Sequence, residues 1–173
     1  MKIIKARKED FPEVRRFYHS LIDGMQEGDY PTKWQKDVYP APESLQAEIG
    51  NGNLFLGLEG GRIAAAMAVN RKGNPQYGEA EWGVDAGPEE AAVIHMLGVH
   101  PDFAGRGFAK DMVKFAVQTA RDAGMKAVRL DVLKGNLPAV KVYESQGFGY
   151  ITTVSMFYEN TGWTAFDLYE LEL

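Results

Sequence analysis

The stretch Gly98–Val113, GVHPDFAGRGFAKDMV, decides how the rest of the chain is read. A strand-like run ends at Val99, a Pro-Asp pair follows, and two glycines flank Arg106 just before a helical pattern. Glycine weakens the start of a helix unless something must come close to the backbone. A nucleotide phosphate loop of the form G-x-x-x-x-G-K-[ST] does not fit, because no second glycine stands before Lys110 and Asp111 occupies the hydroxyl position. A dinucleotide fingerprint, G-x-G-x-x-G, finds its first two glycines in Gly105 and Gly107 but meets Lys110 in place of the third. Asp131 then ends the next strand, roughly where a ribose-binding acid is expected, although that motif turns directly out of its strand and here HPDFA intervenes. A third arrangement is a pyrophosphate cradle at a helix N-terminus. The amides of Gly105, Arg106, Gly107, Phe108 and Ala109 would face the anion, with Arg106 and Lys110 adding cationic side chains. A glycine-rich turn with a solvated basic rim explains the same residues without a ligand.

Outward from this stretch, the chain alternates strands and helices. Ile3–Ala6 predicts a strand. Asp10 caps a helix with Pro12 in its first turn, which Gly24 ends. The segment GDYPTKWQKDVYPAP reads as a loop or broken helix, followed by a short helix from Pro42 to about Ile49. Strands at Asn53–Leu58 and Arg62–Asn70 flank the turn EGG. Gly73 to Glu90 forms a long polar connection carrying Glu79, Glu81, Trp82 and Asp85. A strand at Ala92–Val99 leads into the glycine stretch, and a helix runs from near Gly105 to about Ala123. KAVRLDV is a strand, Asn136 caps a helix that Gly147 follows, and two strands close the chain around ENTG. This order predicts a mixed sheet with helices packed on it.

Composition limits the function classes. The chain has 173 residues, 45% hydrophobic and 25% charged, long enough for one domain spanning residues 1–173 with a sizeable core. A net charge of −5 argues against a broad electrostatic grip on nucleic acid or an anionic membrane. Without cysteine there is no disulfide, thiolate metal site or thiol nucleophile, and no metal centre is expected. The N-terminus lacks an apolar leader core, and no apolar run approaches the roughly 18 residues of a membrane span. A cytoplasmic location is the expectation.

Two motifs and the element order together resemble the GNAT superfamily of acyl-CoA N-acyltransferases. Its glycine motif, [QR]-x-x-G-x-[GA] after a V-x-P strand end, is matched by Val99-His100-Pro101, by Gly107 as the central glycine and by Ala109 as the last small residue. Ala104 departs from it, standing where the family has Gln or Arg. The second signature, N-x-x-A-x-x-x-Y-x-x-x-G-F, is complete in Asn136, Ala139, Tyr143, Gly147 and Phe148. The resemblance implies an α/β fold with a mixed, mostly antiparallel central sheet of six to seven strands and helices on both faces. It implies acetyl-CoA as co-substrate and a primary amine, small-molecule or peptide, as acceptor, joined by direct attack in a ternary complex. By resemblance, Leu97 and Val99 contact the pantetheine arm, residues 104–110 hold the pyrophosphate, Asn136 touches the cofactor and Tyr143 protonates the departing sulfur. His95, on the strand before the turn, has an unperturbed pKa near neutrality and suits a general base, or else is a hydrogen-bonded structural histidine. Asp131 matches a position where several family members carry a glutamate used for amine binding or a water relay; a solvated strand end also explains it. His100 reads as surface. The acidic, aromatic connection 79–85 and the aromatic loop DYPTKWQKDVYP are candidate walls for the acceptor, or solvated loops. A non-catalytic acyl-CoA sensor would share the fold but has no need of the Tyr143 phenol, and relatives pair through their last strands, so a homodimer is possible.

Overall fold

The computed structural model describes residues 1–26 and 32–173. Among the described residues, seven strands and four helices follow the expected order. They are β1 (Lys2–Lys5), α1 (Phe11–Gln26), α2 (Pro42–Gly50), β2 (Leu54–Glu59), β3 (Arg62–Asn70), β4 (Ala91–Val99), α3 (Phe108–Asp122), β5 (Ala127–Leu133), α4 (Leu137–Glu144), β6 (Gly149–Tyr158) and β7 (Gly162–Glu172). All seven strands form one sheet in the order β1-β2-β3-β4-β5-β7-β6. Every neighbour pair is antiparallel except β4 with β5.

The side-chain period of the strands distributes the core between the two faces. Phe55, Ala65 and Met67 pack under α3, whose Phe108, Met112, Val113, Ala116 and Ala120 form a buried stripe. Their sequence neighbours Leu54, Leu56, Ala66 and Ala68 turn the other way, onto α1 and α2. A third cluster joins Tyr77 to Val154, Met156, Phe166 and Leu168 of the β6–β7 end. Among the described residues no helix is long and apolar enough to cross a membrane.

Two helix boundaries differ from the sequence expectation. Gly24 does not end α1, which runs through it to Gln26; a Cβ at Gly24 would collide with the Pro101 ring. The glycine serves close approach rather than termination. The helix expected from Gly105 starts only at Phe108: Gly105 (φ +75°) and Gly107 (φ +81°) are left-handed, so both lie in the turn before it. Gly107 is the N-cap of α3.

The long connection 73–90 is tied down. It contains a 3₁₀ turn at Pro75–Glu79 and is fixed to the sheet by the Arg129–Glu170 pair. Glu170 accepts the Val84 amide at 2.9 Å, while Arg129 donates to the carbonyls of Val84 and Ala86.

Candidate active site

The parallel pair β4–β5 is short. Ala91, Ala92 and Val93 align with Ala127, Val128 and Arg129, and then the strands part. Beyond that point β4 stays with β3 and β5 stays with β7. The backbone of 94–99 therefore faces an opening in the middle of the sheet rather than a strand. A cleft of about 480 Å³ fills it and passes between the two faces.

A bulge shapes β4 at this opening. The β3–β4 register breaks between Ala66/Gly98 and Ala68/His95, and Met96 takes a left-handed φ of +56°. The turned Met96 carbonyl is held by the Tyr18 hydroxyl, which donates to it at 2.9 Å. Leu97 and Val99 thereby line the cleft and pack toward the α3 side.

On the α3–α4 face, Ala104, Ala109, Asn136, Ala139 and Tyr143 line the cleft. The Asn136 Oδ1 accepts the Ala139 amide at 3.3 Å, so this side chain caps α4 and borders the cleft at once. Tyr143 packs edge-on to Phe148, and burial, with the nearby charge of Asp131 adding to it, pushes its phenol well above the ordinary value. It stays protonated across the physiological range. The space where a Cβ would stand on Gly105 or Gly107 is open, as a backbone cradle requires. Arg106 and Lys110 are exposed, and Arg106 lies over the Phe103 ring at 5.3 Å. The Phe108 side chain belongs to the core, which leaves only its amide for a ligand.

The opposite side of the cleft is aromatic and contains one carboxylate. Trp34 and Tyr39 line it, with ring centroids 5.3 Å apart, and Tyr39 meets Tyr158 at 5.6 Å. Part of the aromatic loop thus lines the cleft; residues 29–31 of that loop lie outside the described residues. Asp131 is no solvated strand end. It is half-buried in the cleft and accepts hydrogen bonds from Tyr77 at 2.8 Å and Tyr158 at 3.1 Å. Burial raises its pKa, against the two phenols and the neighbouring His95. Glu79, Glu81 and Asp85 are exposed and do not line the cleft. Trp82 supports the loop: its indole donates to the Tyr77 carbonyl, and Arg129 stacks on its ring at 4.4 Å.

His95 lines the cleft beside Asp131. Burial lowers its pKa, partly offset by the charges of Asp131 and Glu48, so the ring is neutral at pH 7. His100, by contrast, accepts the Asp102 amide within the turn after β4. Sequence reasoning had no sign of Tyr77 or Tyr158; only the alternation of β6 could have placed Tyr158 on the Asp131 face.

The profile of the acetyltransferase (GNAT) family matches residues 15–148. The chain belongs to that family. A GNAT-family acetyltransferase from Streptococcus agalactiae superposes with a TM-score of 0.81 at 19% identity, covering 99% of this chain and 95% of that one. A Salmonella typhimurium acetyltransferase structure containing its cofactor acetyl-CoA superposes with a TM-score of 0.71 at 15% identity, over 100% of this chain and 94% of that one. These likenesses extend the GNAT fold over essentially the whole chain. In sequence, 64 residues are 34% identical to a mycothiol acetyltransferase from Geodermatophilus obscurus, 37% of this chain but only 21% of that protein.

Proposed function

We propose that this GNAT protein transfers an acetyl group from acetyl-CoA to a primary amine that enters beside Asp131. One observation carries the reading. The parted strands β4 and β5 bring His95, Asp131 and an aromatic wall to one side of a cleft whose other side holds Tyr143 and, at Ala104 and Ala109, the two ends of the glycine turn.

The residues around the glycine turn fit the donor. The first amides of α3 have no partners within the helix and carry its positive end, and the left-handed Gly105 and Gly107 let a diphosphate approach the backbone. The run 94–99, paired with β3 on one edge and free of β5 on the other, offers backbone groups to the pantetheine arm in the manner of an added strand. Acetyl-CoA, once bound, supplies the activated acyl group as a thioester.

The chain's own residues then divide the work. An alkylammonium is attracted to the Asp131 carboxylate and to the faces of Trp34, Tyr39 and Tyr158. His95, neutral because it is buried, takes the ammonium proton so that a neutral nitrogen attacks. The Leu97 amide, on the bulged strand, is the candidate donor to the thioester oxygen; one preorganised donor of that kind is worth about 3 kcal/mol of barrier. Tyr143 holds a proton at its phenol oxygen for the sulfur. A direct transfer needs no covalent enzyme species, consistent with a chain without cysteine. The wall residues favour an amine with an apolar or aromatic body over a peptide rich in charge.

The test is thiol release from acetyl-CoA against a panel of aliphatic and aromatic primary amines, with wild type and Tyr143→Phe. The variant is expected to lose about 10²- to 10⁴-fold in turnover while binding acetyl-CoA as before. Undiminished turnover in the variant, or no amine accepted by wild type, would refute the reading.

A further inference from the structure

His95 is held from behind by a chain of side chains that runs away from the cleft. Its Nε2 lies 3.0 Å from Asn70 Oδ1. Asn70 ends β3, and on that antiparallel pair Ala68 stands opposite His95, so Asn70 is its diagonal neighbour. The same Oδ1 accepts the Lys72 backbone N–H at 2.8 Å, while Asn70 Nδ2 donates to Glu48 Oε1 at 3.0 Å. Glu48, near the end of α2, is fixed in turn because its Oε2 accepts Asn53 Nδ2 at 2.8 Å.

These contacts leave no freedom in who donates. A backbone N–H can only donate and a carboxylate can only accept, so the Asn70 amide cannot be flipped without breaking both flanking bonds. Its oxygen must face His95. A neutral imidazole then places its single proton on Nε2, since the other tautomer would set two lone pairs against each other at 3.0 Å.

We propose that Asn70 and Glu48 are positioning residues that hold His95 in its Nε2–H tautomer and so leave Nδ1 as the nitrogen that receives the acceptor's proton. This rests on the reading of His95 as the base. The charged and titratable groups that act on the ring are Asp131 from β5 and Glu48 from α2, and the Lys72 backbone carbonyl, which can only accept, also favours a protonated ring nitrogen. Asp131 favours the imidazolium after proton transfer, and the Asn70 oxygen continues to accept from Nε2–H in both protonation states. The relay thus orients the ring without itself changing charge.

Long-range ¹H–¹⁵N spectra of the histidine rings test this without any acceptor, with His95 identified by its loss in His95→Gln. In wild type at pH 8, His95 is expected to show a protonated Nε2 and a bare Nδ1. Asn70→Ala should give a mixture of tautomers, with the acetyl-CoA affinity unchanged and turnover on the best acceptor of the amine panel reduced about ten- to a hundredfold. The paired exchange Glu48→Gln with Asn70→Asp swaps donor and acceptor between the two positions. It is expected to restore the single tautomer and to raise the His95 pKa, because a carboxylate then faces Nε2. A pure Nε2–H tautomer persisting in Asn70→Ala, or a double variant that leaves both tautomer and pKa as in Asn70→Ala, would overturn the positioning role. Full turnover in His95→Gln would instead overturn the base assignment, whatever the spectra show.

Discussion

Replacing Arg129 by Ala tests how the acceptor wall is held in place. Arg129 and Glu170 are only 7% and 6% exposed, stand opposite each other on β5 and β7, and bond at 2.9 Å. The guanidinium also holds the carbonyls of Val84 and Ala86 and covers the Trp82 ring. Truncation leaves the Glu170 carboxylate buried beside two carbonyls with no cation. Breaking a buried pair from one side costs about 3–5 kcal/mol. At about 2–4 °C per kcal/mol for a chain of this size, the melting temperature should fall roughly 6–20 °C. Removing both charges, as in Arg129→Met with Glu170→Leu, should recover part of that loss, because the desolvation cost of the charges goes with them while the Val84 amide and the two loop carbonyls lose their partners. The assay is a denaturant and thermal double-mutant cycle, with amine KM measured alongside. Trp82 links this anchor to Tyr77 and hence to Asp131, so KM for the amine should rise in Arg129→Ala while acetyl-CoA affinity holds. A loss below about 1 kcal/mol, or a double variant as unstable as the single one, would refute the reasoning.

Three other outcomes follow from the site. Gly107→Ala forces a side chain into φ +81° and should cost about 1–2 kcal/mol of stability, read by thermal unfolding, together with a weaker acetyl-CoA affinity and an unchanged preference among amines. The acid limb of kcat/KM should lie below the unperturbed histidine value of about 6.5, since burial depresses His95 and the rate is lost only as pH falls through that lowered pKa; a limb above 6.5 would contradict it. Asp131 has a raised pKa, so its contribution to stability is present below the unfolded value and is lost as pH rises through the folded one. Asp131→Asn should remove that decline in a stability-versus-pH series while raising KM for the amine.

Much of the fold was legible because its signals are local. Strand alternation, the Asn136 cap and the turn residues at 60–61 and 124 each depend on a few neighbouring residues, and the element order follows from them. Helix ends depart from the sequence expectation where a glycine has a tertiary reason. Gly24 makes room for Pro101, some 77 positions away, and Gly105 and Gly107 belong to a turn that a helical pattern alone does not separate from the helix. The site divides in the same way. Tyr143, Asn136 and the residues of β4 sit on motifs of fixed spacing. The environment of Asp131 does not, because Tyr77 and Tyr158 reach it from 54 and 27 residues away. Asn70 and Glu48 were likewise invisible, since only the β3–β4 register and the packing of α2 bring them to His95.

Calorimetric titration of the purified protein with acetyl-CoA, with NAD as the control ligand, tests the central claim most directly. Saturable binding of one acetyl-CoA per chain and none of NAD is the predicted result. Absence of acetyl-CoA binding well into the millimolar range, where a free energy of only about −4 kcal/mol still registers, would contradict it and leave the GNAT fold without the proposed donor.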